Sequence, residues 1–202
     1  MQIHPFSIKG PALFIPRIFK DPRGAFSEIY NQAAMHKAGL TVDFVQDNQS
    51  ISLPTNTIRG LHCQKPPFAQ GKLVRCGHGR ILDVAIDART GSPTYGKWVS
   101  AVLSAEKGEQ LWVPPGFLHG FQTLEQNCLV LYKCTAPYHH ASDASVLWND
   151  TDISLKWHDL SETPVLSEKD EKAAGFKEIN NWFPYKDFPD LAIQFTEEKP
   201  LS

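Results

Sequence analysis

The sequence predicts a mainly β fold, a jelly-roll barrel or sandwich with a few short helices, and three observations carry that prediction. Short runs of strand-like apolar patterning recur at 43–52, 57–64, 72–76, 80–87, 95–103, 109–113, 120–123 and 128–134. Gly, Pro, Asn or Asp residues punctuate most of the intervals, as expected of many short strands joined by turns. The 202 residues suffice for one domain with a substantial core, and no internal repeat or low-complexity linker divides them.

The elements follow in order. An apolar run over 12–19 ends at Asp21-Pro22-Arg23-Gly24, a turn signal. Residues 31–38 carry the one early helical pattern, with Asn31 as N-cap and Gly39 as its stop. Period-two alternation then sorts the strand faces. Lys72 shares a face with Val74 and Cys76, and Tyr132 shares one with Cys128, Val130 and Cys134. Asp83 opposes Leu82, Val84 and Ile86, so it points into the barrel if those three face outward. The same rule groups His62 with Ile58, Gly60 and Gln64 and gives Arg59 the opposite parity. From about residue 156 the pattern turns mixed, with short helices expected near 168–174. Residues 1–175 are read as the barrel domain. Residues 176–202, carrying Trp182, Phe183, Tyr185, Phe188 and Phe195, are read as a cover on that domain or on a partner subunit.

Composition excludes several function classes. A net charge of −2 gives no electrostatic reason to expect nucleic acid or an anionic membrane as partner. No apolar run approaches the ~20 residues needed to cross a bilayer. Met1-Gln2-Ile3-His4-Pro5-Phe6 lacks the pattern of a secretion signal, and the four cysteines show no C-x-x-C spacing. Cytoplasmic thiols are the expectation.

Two histidine segments hold the candidate chemistry, Arg59-Gly60-Leu61-His62-Cys63-Gln64 and Pro114-Pro115-Gly116-Phe117-Leu118-His119-Gly120. Gly108 to His119 resembles the second half of the cupin signature, which makes the expected barrel cupin-like. The first half would supply an H-x-H pair and a glutamate. Here that place reads His62-Cys63-Gln64, and the next glutamate is Glu106. Two histidines and a neutral amide make a poor ligand set for zinc, iron or manganese, so no metal is expected. Lys72 and Tyr132 instead add a cation and a phenol, groups suited to moving a proton beside a carbonyl.

The chain resembles the dTDP-4-dehydrorhamnose 3,5-epimerase family of nucleotide-sugar enzymes. The resemblance rests on Asp21 to Glu28, Phe44 to Asn48, Ile58 to Gln64, Gln70 to Arg75, Asp83 to Asp87, Pro114 to Phe121, Tyr132-Lys133, Trp148 to Asp150 and Leu166 to Asp170, in family order. It implies a dTDP-4-keto-6-deoxyhexose substrate, whose C3 and C5 protons flank the C4 ketone. Abstraction gives an enolate and opposite-face reprotonation inverts the centre, with no cofactor. It further implies His62 as base, Asp170 as its orienting carboxylate, Lys72 as enolate stabiliser and Tyr132 as acid. Arg23, Phe26, Glu28, Gln46, Asp47, Asn48, Arg59, Lys72, His119, Asp143 and Lys169 match ligand-contact positions, and Tyr138 matches an aromatic that stacks on thymine. A homodimer with shared strands is implied, and it would reconcile the parities of Arg59 and His62; a local bulge would do so too.

Other readings stand beside these. Ser167-Glu168-Lys169-Asp170 fits a helix capping box that needs no catalytic role for Asp170, and Asp83 is the alternative partner for His62. Asp47 equally suits a turn or a dimer contact. The rival functions are a C3-only or C5-only epimerase, a metal-dependent cupin enzyme and a non-catalytic sugar-nucleotide-binding cupin. Cys63 stands where the family frequently has an aromatic, and Pro115 where glutamate is common; Cys63 faces away from His62 by parity.

Overall fold

Two antiparallel sheets face each other in the computed structural model, which describes residues 1–179, 181–196 and 200–201. The elements run β1 (Gln2–Pro5), β2 (Ala12–Ile15), β3 (Phe19–Asp21), β4 (Gly24–Phe26), α1 (Gln32–Lys37), β5 (Gln46–Ser52), β6 (Ile58–Gln64), β7 (Lys72–His78) and β8 (Arg80–Asp87). They continue with β9 (Arg89–Thr90), β10 (Trp98–Ser104), β11 (Gln110–Val113), β12 (Phe117–Thr123), β13 (Cys128–Cys134), β14 (Asp143–Ser145), α2 (Glu168–Glu171) and β15 (Phe183–Pro184). One sheet has the order β1-β2-β11-β7-β13-β5 and the other β10-β8-β12-β6-β14.

Alternation explains why the sheets close on each other. Val74 and Cys76, Ile81 and Ala85, Val99 and Leu103, Leu111 and Val113, Phe117 and Phe121, and Cys128 and Val130 form one buried cluster between them. Residues of opposite parity make two outer clusters. Leu61, Cys63, Val84, Ile86 and Leu118 pack under Val146, Ile153, Trp157, Phe176, Ile179 and Phe183. Ile3, Ala12, Phe14, Leu73 and Trp112 pack under Met35 of α1, Leu40 and Ile193. Along β7 the inward residues run from Cys76 through Val74 to Lys72, and along β13 from Val130 to Tyr132. The barrel interior thus turns from apolar to ionisable towards one end, which places the site there.

Several expected boundaries shift for local reasons. The run from 12 ends at Ile15, because Pro16 has no N–H for a ladder, and Phe19 opens the separate β3–β4 hairpin. The 95–103 run starts only at Trp98, since Tyr95 and Gly96 lie in a turn where Gly96 has φ +75°. Helix α1 has its Asn31 cap, whose side chain accepts from the Ala34 N–H. The largest departure is in β6. Its register with β12 pairs His119 with His62 but Phe121 with Arg59, three residues of β6 against two of β12. This bulge passes through Gly60 at φ +129°, where an added Cβ would lie 2.6 Å from the Gly120 Cα. Arg59 thereby joins His62 on the barrel face, and Ile58 moves to the outer cluster, so strict alternation fails here.

Beyond α2 the chain straps its own domain. Thr196 N–H donates to Ile3 O at 3.0 Å and Leu201 N–H to Pro5 O at 2.9 Å. Arg89 pins this strap. Its guanidinium bonds both Asp87 carboxylate oxygens at 2.9 Å, Asp190 Oδ1 at 2.7 Å and Phe188 O at 3.1 Å, beside the Phe117 and Tyr185 rings. Removing one member of a buried ion pair strands the others. Arg89→Ala should therefore lower stability by about 3–5 kcal/mol, read as a lower urea midpoint. An unchanged midpoint would show the clamp to be dispensable.

Candidate active site

Both sheets contribute to the apolar-to-polar end of the barrel. A cleft of about 420 Å3 is lined by Ser50, Thr57, Arg59, His62, Lys72, His119, Phe121, Tyr132, Ser167 and Asp170, among others. A neighbouring cleft of about 490 Å3 is lined by Gln46, Asn48, Gln64, Gln70, Tyr138, Asp143 and Lys169. His62, Lys72 and Tyr132 line both, so they stand where the two meet.

His62 projects from β6 and donates from Nε2 to Asp170 Oδ1 at 2.6 Å. Asp170 is held at the start of α2, where the Ser167 side chain caps its N–H at 3.2 Å. The capping motif and the histidine contact are therefore both realised by one residue. Burial pushes the Asp170 carboxyl upward, but the hydrogen bond from His62, with Ser167 and the Gly60 backbone, brings it below the usual carboxylate range. An ionised Asp170 fixes the His62 proton on Nε2 and leaves Nδ1 with its lone pair.

Asp83 sits with a different histidine. It accepts from His119 Nε2 at 2.8 Å, and both side chains are buried. Burial raises the Asp83 carboxyl and lowers the His119 imidazole, each opposed by the other partner. Lys72 is lowered by burial, while the Tyr132 phenol is raised by burial with help from Cys134. Tyr132 consequently keeps its proton at neutral pH. Among the described residues, neither the Lys72 ammonium nor the Tyr132 hydroxyl has a hydrogen-bond partner, so both are open to a ligand.

The second cleft is framed by polar side chains. Lys169 bonds Asp143 Oδ2 at 2.6 Å, the Tyr138 hydroxyl lies 3.4 Å from the same oxygen, and Gln46 Oε1 accepts the Tyr138 N–H at 2.8 Å. Four sequence candidates stand elsewhere within one chain. Arg23, Phe26 and Glu28 lie exposed on or beside the β3–β4 hairpin, with Arg23 paired to Asp21. Asp47 lies on the outward parity of β5 and pairs with Lys133 at 2.9 Å. No group of three or more His, Cys, Asp or Glu among the described residues is arranged to hold a metal. Ser50 and Gln70, which line the clefts, were not among the sequence candidates. Ser50 shares parity with Gln46 and Asn48 and was findable from that alternation.

The model of the family described as dTDP-4-dehydrorhamnose 3,5-epimerase matches residues 5–178. The chain belongs to this family. A Sinorhizobium fredii protein named dTDP-4-dehydrorhamnose 3,5-epimerase is 49% identical, over 92% of this chain and 94% of that one. A Legionella pneumophila dTDP-6-deoxy-D-glucose-3,5-epimerase, solved with dTDP-4-keto-L-rhamnose, superposes with a TM-score of 0.85 at 38% identity, covering 91% of this chain and 97% of that one. A 3'-monoepimerase from Streptomyces bikiniensis, solved with dTDP-quinovose, gives a TM-score of 0.83 at 30% identity, covering 91% and 93%. The structural relatives extend across both sheets, and family membership ties the cupin-like jelly roll to nucleotide-sugar epimerisation.

Proposed function

We propose that the chain inverts C3 and C5 of a dTDP-4-keto-6-deoxyhexose, converting dTDP-4-dehydro-6-deoxyglucose to dTDP-4-dehydrorhamnose. The observation that carries this reading is that a candidate base and a candidate acid face one cleft from opposite sheets. His62 stands on β6 of the five-stranded sheet and Tyr132 on β13 of the six-stranded sheet. A sugar between them presents one ring face to each. His62 Nδ1 takes the proton flanking the ketone, the carbon–hydrogen electron pair moves into the enolate, and Lys72 stabilises the charge on the C4 oxygen. Tyr132 then delivers a proton from the other face.

The nucleotide falls to the second cleft, with the base against Tyr138 and polar contacts from Gln46, Asn48, Asp143 and Lys169. Arg59 and Ser50, which line the first cleft, are assigned to the pyrophosphate. Arg23, Phe26, Glu28 and Asp47 are contributed across a homodimer. Its interface uses the edge strand β5, which carries the exposed Ile51 and is flanked by the exposed Val45 and Leu53, with the hairpin bearing Phe19 and Phe26. Four free, buried thiols suit a reducing cytoplasmic setting.

The monoepimerase neighbour gives specific support to a second reading, inversion at C3 alone. Deuterium uptake from heavy water, followed by NMR on the dTDP-4-keto-6-deoxyglucose substrate, separates the two. Label at both C3 and C5 with inversion is the expected result. Label at C3 alone selects the second reading, and no exchange at either carbon overturns both.

A further inference from the structure

Gln64 carries out a task that neither the acid–base pair nor the ligand contacts require. It lies two residues beyond His62 on β6 and is 4% exposed. Its Nε2 donates to Phe68 O at 2.8 Å and to Pro137 O at 3.1 Å, and its Oε1 accepts from the His139 N–H at 2.7 Å. One amide thus joins the loop between β6 and β7 to the segment after β13. The Phe68 and His139 rings stack across the same junction, 3.9 Å apart and 16° from parallel.

The residue between the two bonded backbone groups of the second segment is Tyr138. With its own N–H held by Gln46, three successive residues of backbone are fixed by two glutamines. The Tyr138 ring itself stays 56% exposed, an open aromatic face on an immobilised backbone. At the position where a cupin metal site would carry its second histidine, the side chain is committed to loop backbone instead.

We propose that Gln64 is a positioning residue for the nucleotide end of the site: it fixes the 137–139 backbone so that the Tyr138 ring is already in place to stack on a pyrimidine base. The proposal rests on the reading that the base sits against Tyr138. A ring fixed before the ligand arrives spares the ordering cost that a mobile loop would pay on binding. A pyrimidine nucleoside diphosphate is the ligand class that senses this, and the sugar chemistry at His62 does so only weakly.

The test measures dTDP affinity by calorimetry together with kcat and KM. Gln64→Leu removes all three bonds at similar volume and should raise both Kd for dTDP and KM by about tenfold, while kcat falls no more than about threefold. Gln64→Met removes the same three bonds on an unbranched side chain of similar length, so the same rise is expected; it carries the test if the leucine variant does not fold. In a Tyr138→Ala background, Gln64→Leu should add less than about twofold, because it acts through that ring. Unchanged Kd and KM in a folded variant overturn the proposal. So does a fall in kcat at constant KM, or a full additional loss on top of Tyr138→Ala. If Tyr138→Ala itself leaves dTDP affinity intact, the base-stacking reading fails first and the proposal falls with it.

Discussion

His62→Ala should abolish epimerisation, with a loss at or beyond the ~10²–10⁴-fold typical of removing a general base. The size follows from how many functions converge on the ring. In the proposed mechanism both inversions begin with proton abstraction beside the same ketone, and Nδ1 of His62 carries the lone pair that the Asp170 contact at 2.6 Å leaves unshared. The alanine variant should fold, because the His62 side chain is 31% exposed and lies outside the buried apolar clusters. Removing the imidazole leaves Asp170 with Ser167 and the Gly60 backbone as partners. Affinity for dTDP should persist, since Arg59, Tyr138 and the polar side chains of the second cleft all remain. The decisive measurement is deuterium exchange at C3 and C5: it should vanish together with product. Near-wild-type turnover in a folded, dTDP-binding variant would remove His62 from the role of base.

Much of this arrangement was legible in the chain, and the exceptions have physical causes. Alternation placed Lys72, Asp83 and Tyr132 inside the barrel, because β7, β8 and β13 run with a regular pleat there. It misplaced Ile58 and Arg59 relative to His62. A bulge at Gly60 changes parity midway along β6, and nothing in the hydrophobic pattern announces it beyond the glycine itself. The motif Ser167 to Asp170 read as a partner for His62, with a helix cap as the competing reading. The structure uses it as both, since the same short helix that needs the cap aims the carboxylate at β6. Strand β14 was missed because Asp143–Ser145 is three residues long, mostly polar and only half buried. The role of Gln64 was invisible for another reason: its three partners are backbone groups, which leave no trace in the side-chain pattern.

Tyr132→Phe should separate exchange from inversion. The tyrosine ring packs against the interior cluster and neighbours Asn48 and Val74 across the ladder, so phenylalanine preserves its packing. What is lost is one hydroxyl with no protein partner among the described residues. Its proton is held firmly, because burial first of all pushes the phenol pKa upward, and it is available only to something as basic as an enolate. In the variant, His62 still abstracts and its conjugate acid still returns a proton to the face it came from. Label from heavy water therefore enters with retention at C3 and C5. Net inversion should fall by ~10²-fold or more, the range of a lost general acid. NMR reads both quantities in one sample, as label uptake in unreacted substrate against appearance of the inverted sugar. Retained exchange with little inverted product places the acid on the six-stranded sheet, across the sugar from His62. Inversion at the wild-type rate would mean that the second proton arrives from solvent or another group, and the opposite-sheet mechanism would have to be given up.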